Sequence, residues 1–283
     1  MGQNMVQADA SGAPSRAIPQ SISRSLLKVP PLSHAAVKLH SLKVEEANMR
    51  TISTLISSDP PLSTLVLRLV NSPLFGVRYR VTGILQAVAL LGVDRLRVLA
   101  TTAAFRMLMS TALDLPTLGR CWRHSVACAL ATQELSKDSS VDRDTAYTAG
   151  LLHDIGRFAM LSCWPKQYSD LLNNSHPSVL SELEFDKLGV SHTTAGAFLL
   201  RHWGLPEHLV EVAQEHHSSA LDERPRLVEL VACGCHLADA IGFAVTVTPP
   251  DDRELENMLS SLVPDPDDFR FRIADGINQI ECL

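Results

Sequence analysis

The stretch Gly150-Leu-Leu-His153-Asp154-Ile-Gly-Arg157-Phe158 decides how the rest of the chain is interpreted. It sets a histidine and an aspartate side by side in a run that is otherwise apolar and continues a helical pattern. A buried aspartate is costly unless it is paired or bound to a metal. The pair therefore predicts either a metal site in the core of a helical protein or a carboxylate that a histidine alone satisfies.

The sequence before this stretch also has helical periodicity. Apolar residues recur at three- and four-residue steps over Leu62–Val70, as in a helix that buries one stripe. Asp59-Pro60 ends the preceding helix because proline excludes the helical conformation from the residue before it. A second apolar stretch, Ile84–Leu91, ends at Gly92, a residue typical of helix ends. A long apolar helix is predicted from Asp94 to about Met109.

The second half of the chain continues this pattern. Helices are predicted at residues 116–137, 143–163, 177–187, 191–203, 206–216, 225–243, 252–261 and 266–280. The one convincing β signal is the short run from Phe243 to Thr248, which lies beside Pro249-Pro250. Because one extended segment does not make a sheet, we predict an all-α fold, a bundle of packed helices.

Four segments are predicted along the chain. Residues 1–20 are small, polar and interrupted by proline, and are expected to form a disordered leader. Residues 21–110 are expected to form an N-terminal helical subdomain without clustered ionisable groups. Residues 111–245 are expected to hold the site, since all but two of the 11 histidines lie after residue 110. Residues 246–283 are expected to form a C-terminal helical extension.

The C-terminal extension is acidic at first and then amphipathic. Its apolar stripe comprises Phe269, Phe271, Ile273 and Ile277. Such a stripe packs either on its own domain or on a second subunit, and the first arrangement is the more common. We therefore expect the extension to cover its own domain.

The composition favours a cytoplasmic globular protein. With 46% hydrophobic and 20% charged residues among 283, the chain can bury a sizeable core. The net charge of −6 argues against general nucleic-acid binding, which needs a basic surface. Residues 1–20 lack the apolar stretch of a signal peptide, and no run approaches the roughly 18 apolar residues of a membrane span. We therefore expect a cytoplasmic location and reduced thiols.

Seven potential metal ligands lie on five predicted helices of the second half. They are His124, His153, Asp154, His192, His216, His217 and Asp239. Imidazole nitrogens and carboxylate oxygens suit zinc, iron, manganese and similar ions. The helices of a bundle can project such side chains onto one interior point. Asp154 matters most, because its two oxygens can bridge two ions while His153 holds one of them.

Each candidate also has a structural explanation that the sequence leaves open. His124 suits a satisfied core histidine, and His192 suits the first turn of a capped helix. His216-His217 ends a helix, where a protonated imidazole complements the dipole. Asp239 interrupts an apolar helix, as a buried carboxylate. A metal clip of Cys233, Cys235 and His236 is not favoured, because helix positions two apart point in opposed directions.

The order His124, His153-Asp154, Asp239 resembles the H…HD…D pattern of the HD superfamily of metal-dependent phosphohydrolases. The segments Asp59–Gly76 and Ile84–Gly92, with Trp203-Gly-Leu-Pro206 before the paired histidines, resemble the HDOD (HD-related output domain) family. The resemblance covers about residues 20–245. It implies a multi-helix HD-like bundle with an N-terminal helical subdomain, and a signalling module of a kind that usually has an eroded metal site. This chain retains every site position.

The HD-GYP group, which hydrolyses cyclic di-GMP at two or three metals, is the nearest active comparison. The seven candidates fall on its ligand positions in order, which implies a site for two divalent ions. Iron and manganese are the preferred metals, and zinc, nickel and magnesium are the alternatives. Three departures limit this resemblance. No Gly-Tyr-Pro loop follows His217, Arg157 replaces the group's lysine, and Arg120 stands where a third metal would want a carboxylate.

Two functions follow. The first is a regulatory protein that binds a signalling partner and whose metal organises the core. The second is a phosphohydrolase acting on a nucleotide or cyclic dinucleotide, in which ions held by Asp154 activate a water and Arg157 binds a phosphate. A salt bridge from Arg157 to a nearby carboxylate is equally open. Oxygen chemistry at a di-iron site occurs elsewhere in the superfamily. Apart from the set of ligands, nothing in this sequence favours it.

Overall fold

The computed structural model describes residues 18–42, 45–73, 77–111, 116–218, 225–247 and 252–281. Within these ranges the chain forms helices and no strand, so the all-α prediction is confirmed. None of the helices in this part of the chain combines the length and the apolar composition that a membrane span needs. Nearly all of the predicted leader, residues 1–17, lies outside the described residues.

The first half of the chain forms six helices, whose buried residues belong to one core that continues into the second half. They are α1 (Gln20–Leu26), α2 (His34–Ser41), α3 (Met49–Ser57), α4 (Pro60–Val70), α5 (Ile84–Leu91) and α6 (Val93–Thr111). Helices α2 and α4 pack on α6, and α5 packs on α3. The predicted boundaries hold because local signals set them. The Asp59 carboxylate accepts a hydrogen bond from the Leu62 amide at 3.0 Å, and α5 ends at Gly92 with a φ of 84°.

The second half forms a larger bundle around one long helix. Its members are α7 (Pro116–Leu135), α8 (Arg143–Leu152), α9 (Ile155–Cys163), α10 (Pro165–Asn174), α11 (Pro177–Leu188), α12 (His192–His202), α13 (Glu207–Glu215), α14 (Arg226–Ala240), α15 (Asp252–Leu262) and α16 (Pro266–Glu281). Helix α7 is central and packs against α8, α14 and α16. Gly150 lets α8 approach α7 closely, since a Cβ there would lie 2.8 Å from the Ala129 Cα.

Three sequence-based expectations differ from the structure. The helix predicted over 143–163 is two helices, α8 and α9, that meet at His153-Asp154. Helix α10 was not predicted at all. The run from Phe243 to Val247 forms no strand, because it leaves α14 as a connection that follows Gly242, whose φ is 93°. Thr248 lies outside the described residues.

The C-terminal stripe packs on its own domain. Phe269, Ile273 and Ile277 are buried in the same core as α7. Phe271 is the exception, with 70% of its surface exposed. It lies two positions from Phe269, which places it on nearly the opposite side of the helix. The expectation is therefore confirmed for the stripe and wrong for Phe271.

Candidate metal centre

Five of the other six predicted ligands surround the Asp154 carboxylate, which lies between α8 and α9 in the second half of the chain. His124 comes from the middle of α7, and His153 ends α8. His192 is the first residue of α12. His216 and His217 directly follow α13. The centre therefore ties together the central helix and four elements packed around it.

The interruption at His153-Asp154 lets two adjacent residues serve one site. In a continuous helix their side chains would diverge by about 100°. Asp154 instead leaves the helical conformation, with φ −102° and ψ 19°, and its carboxylate does not cap α9. The His153 Nδ1 donates to the Gly150 carbonyl at 2.7 Å, which leaves Nε2 free to face the centre. Both side chains are thus directed to the same interior point.

Gly156 brings His192 to Asp154. It sits where α9 crosses the start of α12, and a Cβ at this position would collide with the His192 carbonyl oxygen and lie 2.7 Å from the Gly196 amide nitrogen. Ser191 caps α12 by accepting a hydrogen bond from the Thr194 amide at 3.2 Å. The capped-helix explanation of His192 is thus correct for its backbone, and the side chain in addition faces Asp154.

One oxygen of Asp154 faces a first group of ligands. Its Oδ1 lies 3.4 Å from His192 Nε2 and 3.5 Å from His216 Nε2. With His217 these residues offer four donor atoms that all lie within 4.8 Å of one another. His217 is the exposed member, while the other three are buried.

The other oxygen faces a second group. Asp154 Oδ2 lies 3.7 Å from both His124 Nε2 and His153 Nε2. Cys235, on α14, completes this group, with its Sγ 3.4 Å from His124 Nε2. Sequence reasoning rejected Cys235 as part of a clip with Cys233 and His236, and the structure separates it from them, because His236 is exposed. One signal in the sequence could have pointed to Cys235. It lies four residues before Asp239, so the two side chains share one face of α14.

Asp239 stands apart from the predicted set. Its Oδ1 lies 3.3 Å from Nδ1 of His124, the ring nitrogen opposite the one that faces Cys235. The same Nδ1 donates to the Phe243 carbonyl at 2.9 Å. The structure does not group Asp239 with the other potential ligands, so its coordination of a metal stays a prediction.

Several buried donor atoms of the centre have no hydrogen-bond partner among the described residues. They are His153 Nε2, Asp154 Oδ1, His216 Nε2 and Asp239 Oδ1. Leaving a buried polar atom unsatisfied costs about 1–3 kcal/mol. The first three of these atoms lie in the two ligand groups around Asp154, where bound cations would satisfy them. The residues therefore fit a divalent ion.

The protonation states also suit a metal. Burial lowers the pKa of His153 well below its usual value, and burial likewise lowers the pKa of His216. Burial raises the pKa of Asp154, but Arg157, His153 and His192 outweigh it, and the net pKa lies well below the usual range. The neutral imidazoles of His153 and His216 beside an ionised carboxylate are the forms that bind metal. His124 is the exception, because its burial is outweighed by Cys235 and Asp239, which raise its pKa well above the usual value.

Arg157 is an internal cation beside this cluster. Its Nε donates to Asp154 Oδ2 at 2.6 Å, and its terminal nitrogens donate to Glu184 at 3.1 Å and to His192 Nε2 at 3.1 Å. Glu184 in turn accepts from His192 Nδ1 at 2.7 Å and from the Tyr168 hydroxyl at 2.6 Å. The salt bridge anticipated for Arg157 is thus present, and its binding of a phosphate stays a prediction. Neither Glu184 nor Tyr168 was recognised from the sequence.

Comparison with known proteins places the chain among helical proteins of one family. Residues 29–219 match the HDOD domain family. An uncharacterized protein of Treponema pallidum (strain Nichols) is 29% identical over 221 residues, which cover 75% of this chain and 42% of that protein. A ribonuclease Y of Thermotoga petrophila is 31% identical over 141 residues, 50% of this chain and 21% of the relative. The chain thus spans less than half the length of these two relatives.

Three solved structures share the fold. A Shewanella amazonensis SB2B protein, provisionally named a phosphohydrolase, has a TM-score of 0.70 at 23% identity. The matched region covers 93% of this chain and 97% of the Shewanella chain. An HDOD domain protein of unknown function from Geobacter sulfurreducens has a TM-score of 0.69 at 20% identity, covering 93% and 95%. A Marinobacter aquaeolei VT8 protein, provisionally named a signal transduction protein, has a TM-score of 0.69 at 20% identity, covering 94% and 62%.

Proposed function

This chain belongs to the HDOD domain family, and we propose that it is a cytoplasmic signalling module that acts by binding a protein partner. In this proposal a two-ion centre of histidine and aspartate ligands stabilises the fold and does not turn over a substrate. The name of the Marinobacter protein, which has the same fold, agrees with a signalling role.

The observation that carries the proposal is the burial of the centre, in which His217 is the one exposed residue of the two ligand groups. His153, His216 and Asp154 expose 0%, 1% and 4% of their surfaces. Structural metal sites are closed by protein ligands, whereas catalytic sites keep a position open for water or substrate. One group of ligands, around Asp154 Oδ1, would hold one ion, and the group around Oδ2 would hold the other. When bound, the ions supply the positive charge that Asp154 and the unpartnered imidazole nitrogens lack.

Metal binding of this kind acts on the folded state alone. The ligands converge from α7, α8, α12 and the end of α13 only when these elements are packed. A ligand that binds the folded state and not the unfolded one stabilises it by about 4 kcal/mol at a concentration a thousand times its Kd. Loading the centre should therefore fix the relative positions of these helices.

The partner-binding part of the proposal is supported by the surface of α5. Its exposed side carries Leu85, Gln86, Ala89 and Leu90, and none of these residues is charged. The two leucines expose 50% and 55% of their surfaces. Exposed apolar side chains grouped on one helix face are typical of protein contacts.

The centre is tested with the full chain, stripped of metal and reloaded separately with Mn²⁺, Fe²⁺ under anaerobic conditions, and Zn²⁺. Thermal unfolding and hydrolysis of cyclic di-GMP and of bis(p-nitrophenyl) phosphate are then measured. We expect a higher Tm with at least one ion, no such rise in Asp154→Ala, and no hydrolysis. Turnover that depends on Asp154 would overturn the regulatory proposal in favour of an enzyme.

The partner is tested by affinity capture with the full chain and with a Leu85→Asp/Leu90→Asp variant. We expect proteins retained by the native chain to be lost from the variant, while the Tm of the two chains agrees. Thr64→Asp, at an exposed position on α4, is the matched control for added surface charge. Equal retention by all three chains would remove the support that α5 gives to partner binding.

The phosphohydrolase is the second candidate, and one observation favours it. The two oxygens of Asp154 face separate ligand groups, which is the arrangement that a bridging carboxylate needs, and His217 lies exposed at the edge. For Arg157 to bind a phosphate, however, it would have to leave two buried carboxylates. Removing one partner of such buried pairs costs about 3–5 kcal/mol.

A further inference from the structure

We propose that Cys235 is a metal ligand in the half of the centre that contains His124 and His153. Its thiolate, the two imidazoles and one oxygen of Asp154 form a four-ligand site for an ion that favours sulfur, such as zinc or iron. In this arrangement Asp239 does not bind the ion but orients the His124 ring. The inference rests on the proposed two-ion centre and assigns its ligands.

Three of the distances between these four atoms are those expected around one ion. In a tetrahedral site with bonds of about 2.0–2.3 Å, neighbouring ligand atoms are roughly 3.3–3.8 Å apart. Cys235 Sγ lies 3.4 Å from His124 Nε2, and Asp154 Oδ2 lies 3.7 Å from both histidine Nε2 atoms. The three side chains from α7, α8 and α14 offer atoms that all lie within 4.8 Å of one another.

His153 supplies a second observation that points to a ligand. Its side chain is completely buried, and its Nε2 has no hydrogen-bond partner in the described part of the chain. The other ring nitrogen is fixed by the Gly150 carbonyl at 2.7 Å, so the ring cannot turn to satisfy Nε2 without losing that bond. An ion beside Cys235 would satisfy this atom.

The choice between Cys235 and Asp239 follows from which side of His124 each one contacts. The two residues lie one turn apart on α14, so both face α7. Cys235 meets Nε2, the nitrogen that points into the centre, and Asp239 meets Nδ1 on the far side at 3.3 Å. The Phe243 carbonyl accepts from this outer nitrogen at 2.9 Å, and the Asp239 carboxylate beside it adds a negative charge. Such partners of a metal-bound histidine fix the orientation of its ring.

A thiolate ligand would make the two halves of the centre chemically different. Binding forms the metal–sulfur bond and releases the thiol proton to solvent, with no change of oxidation state. Sulfur ligands select zinc or iron over magnesium and manganese, whereas the group around His192 and His216 offers only nitrogen and oxygen. The half with Cys235 should therefore take up zinc or cobalt and discriminate against magnesium.

Cobalt titration of the metal-free full chain tests the assignment, because a thiolate bound to Co²⁺ gives an intense near-ultraviolet charge-transfer band. We expect the band in the native chain, its loss in Cys235→Ser, and its retention in Cys128→Ser. Cys128 is an equally buried thiol, on α7, and is the matched control. In Asp239→Asn we expect the band to persist with an affinity lower by about 10–100-fold.

X-ray absorption of the zinc-loaded native chain gives an answer that needs no variant. We expect a sulfur neighbour at about 2.3 Å from zinc. Bound cobalt or zinc without sulfur would overturn the assignment of Cys235 and leave the two-ion centre intact. Failure to bind either ion would overturn both. A band that persists in Cys235→Ser, or that disappears in Asp239→Asn with the loss of an ion, would also contradict the assignment.

Discussion

Arg157 gives the centre a permanent positive charge in the interior of the protein. It is 4% exposed and lies against two carboxylates, Asp154 and Glu184, which are also buried. Its guanidinium therefore compensates part of the negative charge whether or not a metal is bound. A bound ion has to share Asp154 with Arg157, because Nε donates to the Oδ2 oxygen at 2.6 Å.

Replacing Arg157 with alanine should destabilise the metal-free chain strongly. The change leaves Asp154 and Glu184 without their common partner, and breaking a buried pair costs about 3–5 kcal/mol. We expect the free energy of unfolding in urea to fall by this amount, and part of the loss to be recovered when zinc supplies a charge to Asp154. Arg226→Ala, which breaks an exposed pair with Glu229, is the control and should cost about 1 kcal/mol or less. Similar losses in both variants would contradict this account of Arg157.

His40 should make stability depend on pH outside the metal centre. Burial, Arg97 and His208 lower the pKa of His40 from 6.5 to about 4. Between these values the unfolded chain binds a proton here that the folded chain does not, so stability falls as the pH is lowered. The Thr101 hydroxyl donates to the Arg97 carbonyl at 2.9 Å and thus accepts from His40 Nε2 at 2.7 Å. A glutamine amide can replace that donor.

We therefore expect His40→Gln to lose less stability than the native chain between about pH 7 and pH 4, by up to about 3 kcal/mol. Urea unfolding at several pH values measures the difference. His176→Gln, at an exposed position, is the control and should follow the native curve. Parallel curves for His40→Gln and the native chain would show that His40 titrates normally.

Individual residues of the centre were predictable where chemistry alone singled them out. Histidines and aspartates interrupting apolar helices are costly in a core, so His124, His153 and Asp154 stood out in the sequence. Cys235 did not stand out, because a free cysteine is commonly buried among apolar residues and needs no special partner there. Glu184 did not either, because its helix α11 has no apolar stripe that would mark it as buried. Its burial comes from Arg157, Tyr168 and His192, which reach it from other helices.

At the scale of helices, local signals set most boundaries and packing set the rest. Asp59-Pro60 and Gly92 delimit α4 and α5 as predicted, because capping and proline act within a few residues. The division between α8 and α9 has no such signal, since neither proline nor glycine stands at His153-Asp154. At this break both side chains face the centre, where histidines from α7, α12 and the end of α13 lie 3.4–3.7 Å from the Asp154 oxygens. Such a break depends on contacts that are distant in sequence.

Gly156→Ala should separate α9 from α12. Its Cβ would collide with the His192 carbonyl, a backbone atom that cannot move without shifting α12. We expect a loss of several kcal/mol of stability, as for other overpacked core sites, together with weaker metal binding because His192 moves away from Asp154. Thermal unfolding and zinc titration measure the two effects.

Gly119→Ala is the matched control, since it lies on α7 with nothing within 4 Å of an added Cβ. Alanine in a helix interior is favoured over glycine, so this variant should gain about 0.5–1 kcal/mol. A Gly156→Ala chain that unfolds and binds zinc like the native protein would show that α9 and α12 can separate without cost.

At the scale of the whole molecule, α6 and α16 join the two halves of the chain. Helix α6 belongs to the predicted N-terminal subdomain, and its Arg95 pairs with Asp144 of α8 at 3.0 Å. The division at residues 110 and 111 remains a prediction, because these contacts cross it. An all-helical bundle and its family were accessible from periodicity and motifs. The way in which the halves join was not, because it depends on the packing of α6 on α8 and on polar contacts between segments far apart in sequence.

The strongest of these joints is Arg106 of α6, which holds the end of α16. It donates to the carbonyls of Ile280 at 3.0 Å and Glu281 at 2.9 Å, groups that the last turn of a helix leaves without a partner. Arg123 of α7 also holds Glu281, through its carboxylate, at 2.7 Å and 2.8 Å, but the Arg123 side chain is 51% exposed. The two arginines thus contact the same residue, Arg106 from a part-buried position and Arg123 from an exposed one.

Arg106→Ala should therefore cost more than Arg123→Ala. Hydrogen bonds from a charged donor contribute about 1.5–3 kcal/mol each when they are shielded from water, whereas an exposed ion pair contributes about 1 kcal/mol or less. We expect urea unfolding to show this order, and hydrogen exchange to speed up along α16 in Arg106→Ala alone, because its carbonyl ends lose their donor. Equal costs, or unchanged exchange in α16, would mean that the apolar packing of Phe269, Ile273 and Ile277 against α7 holds the helix without Arg106.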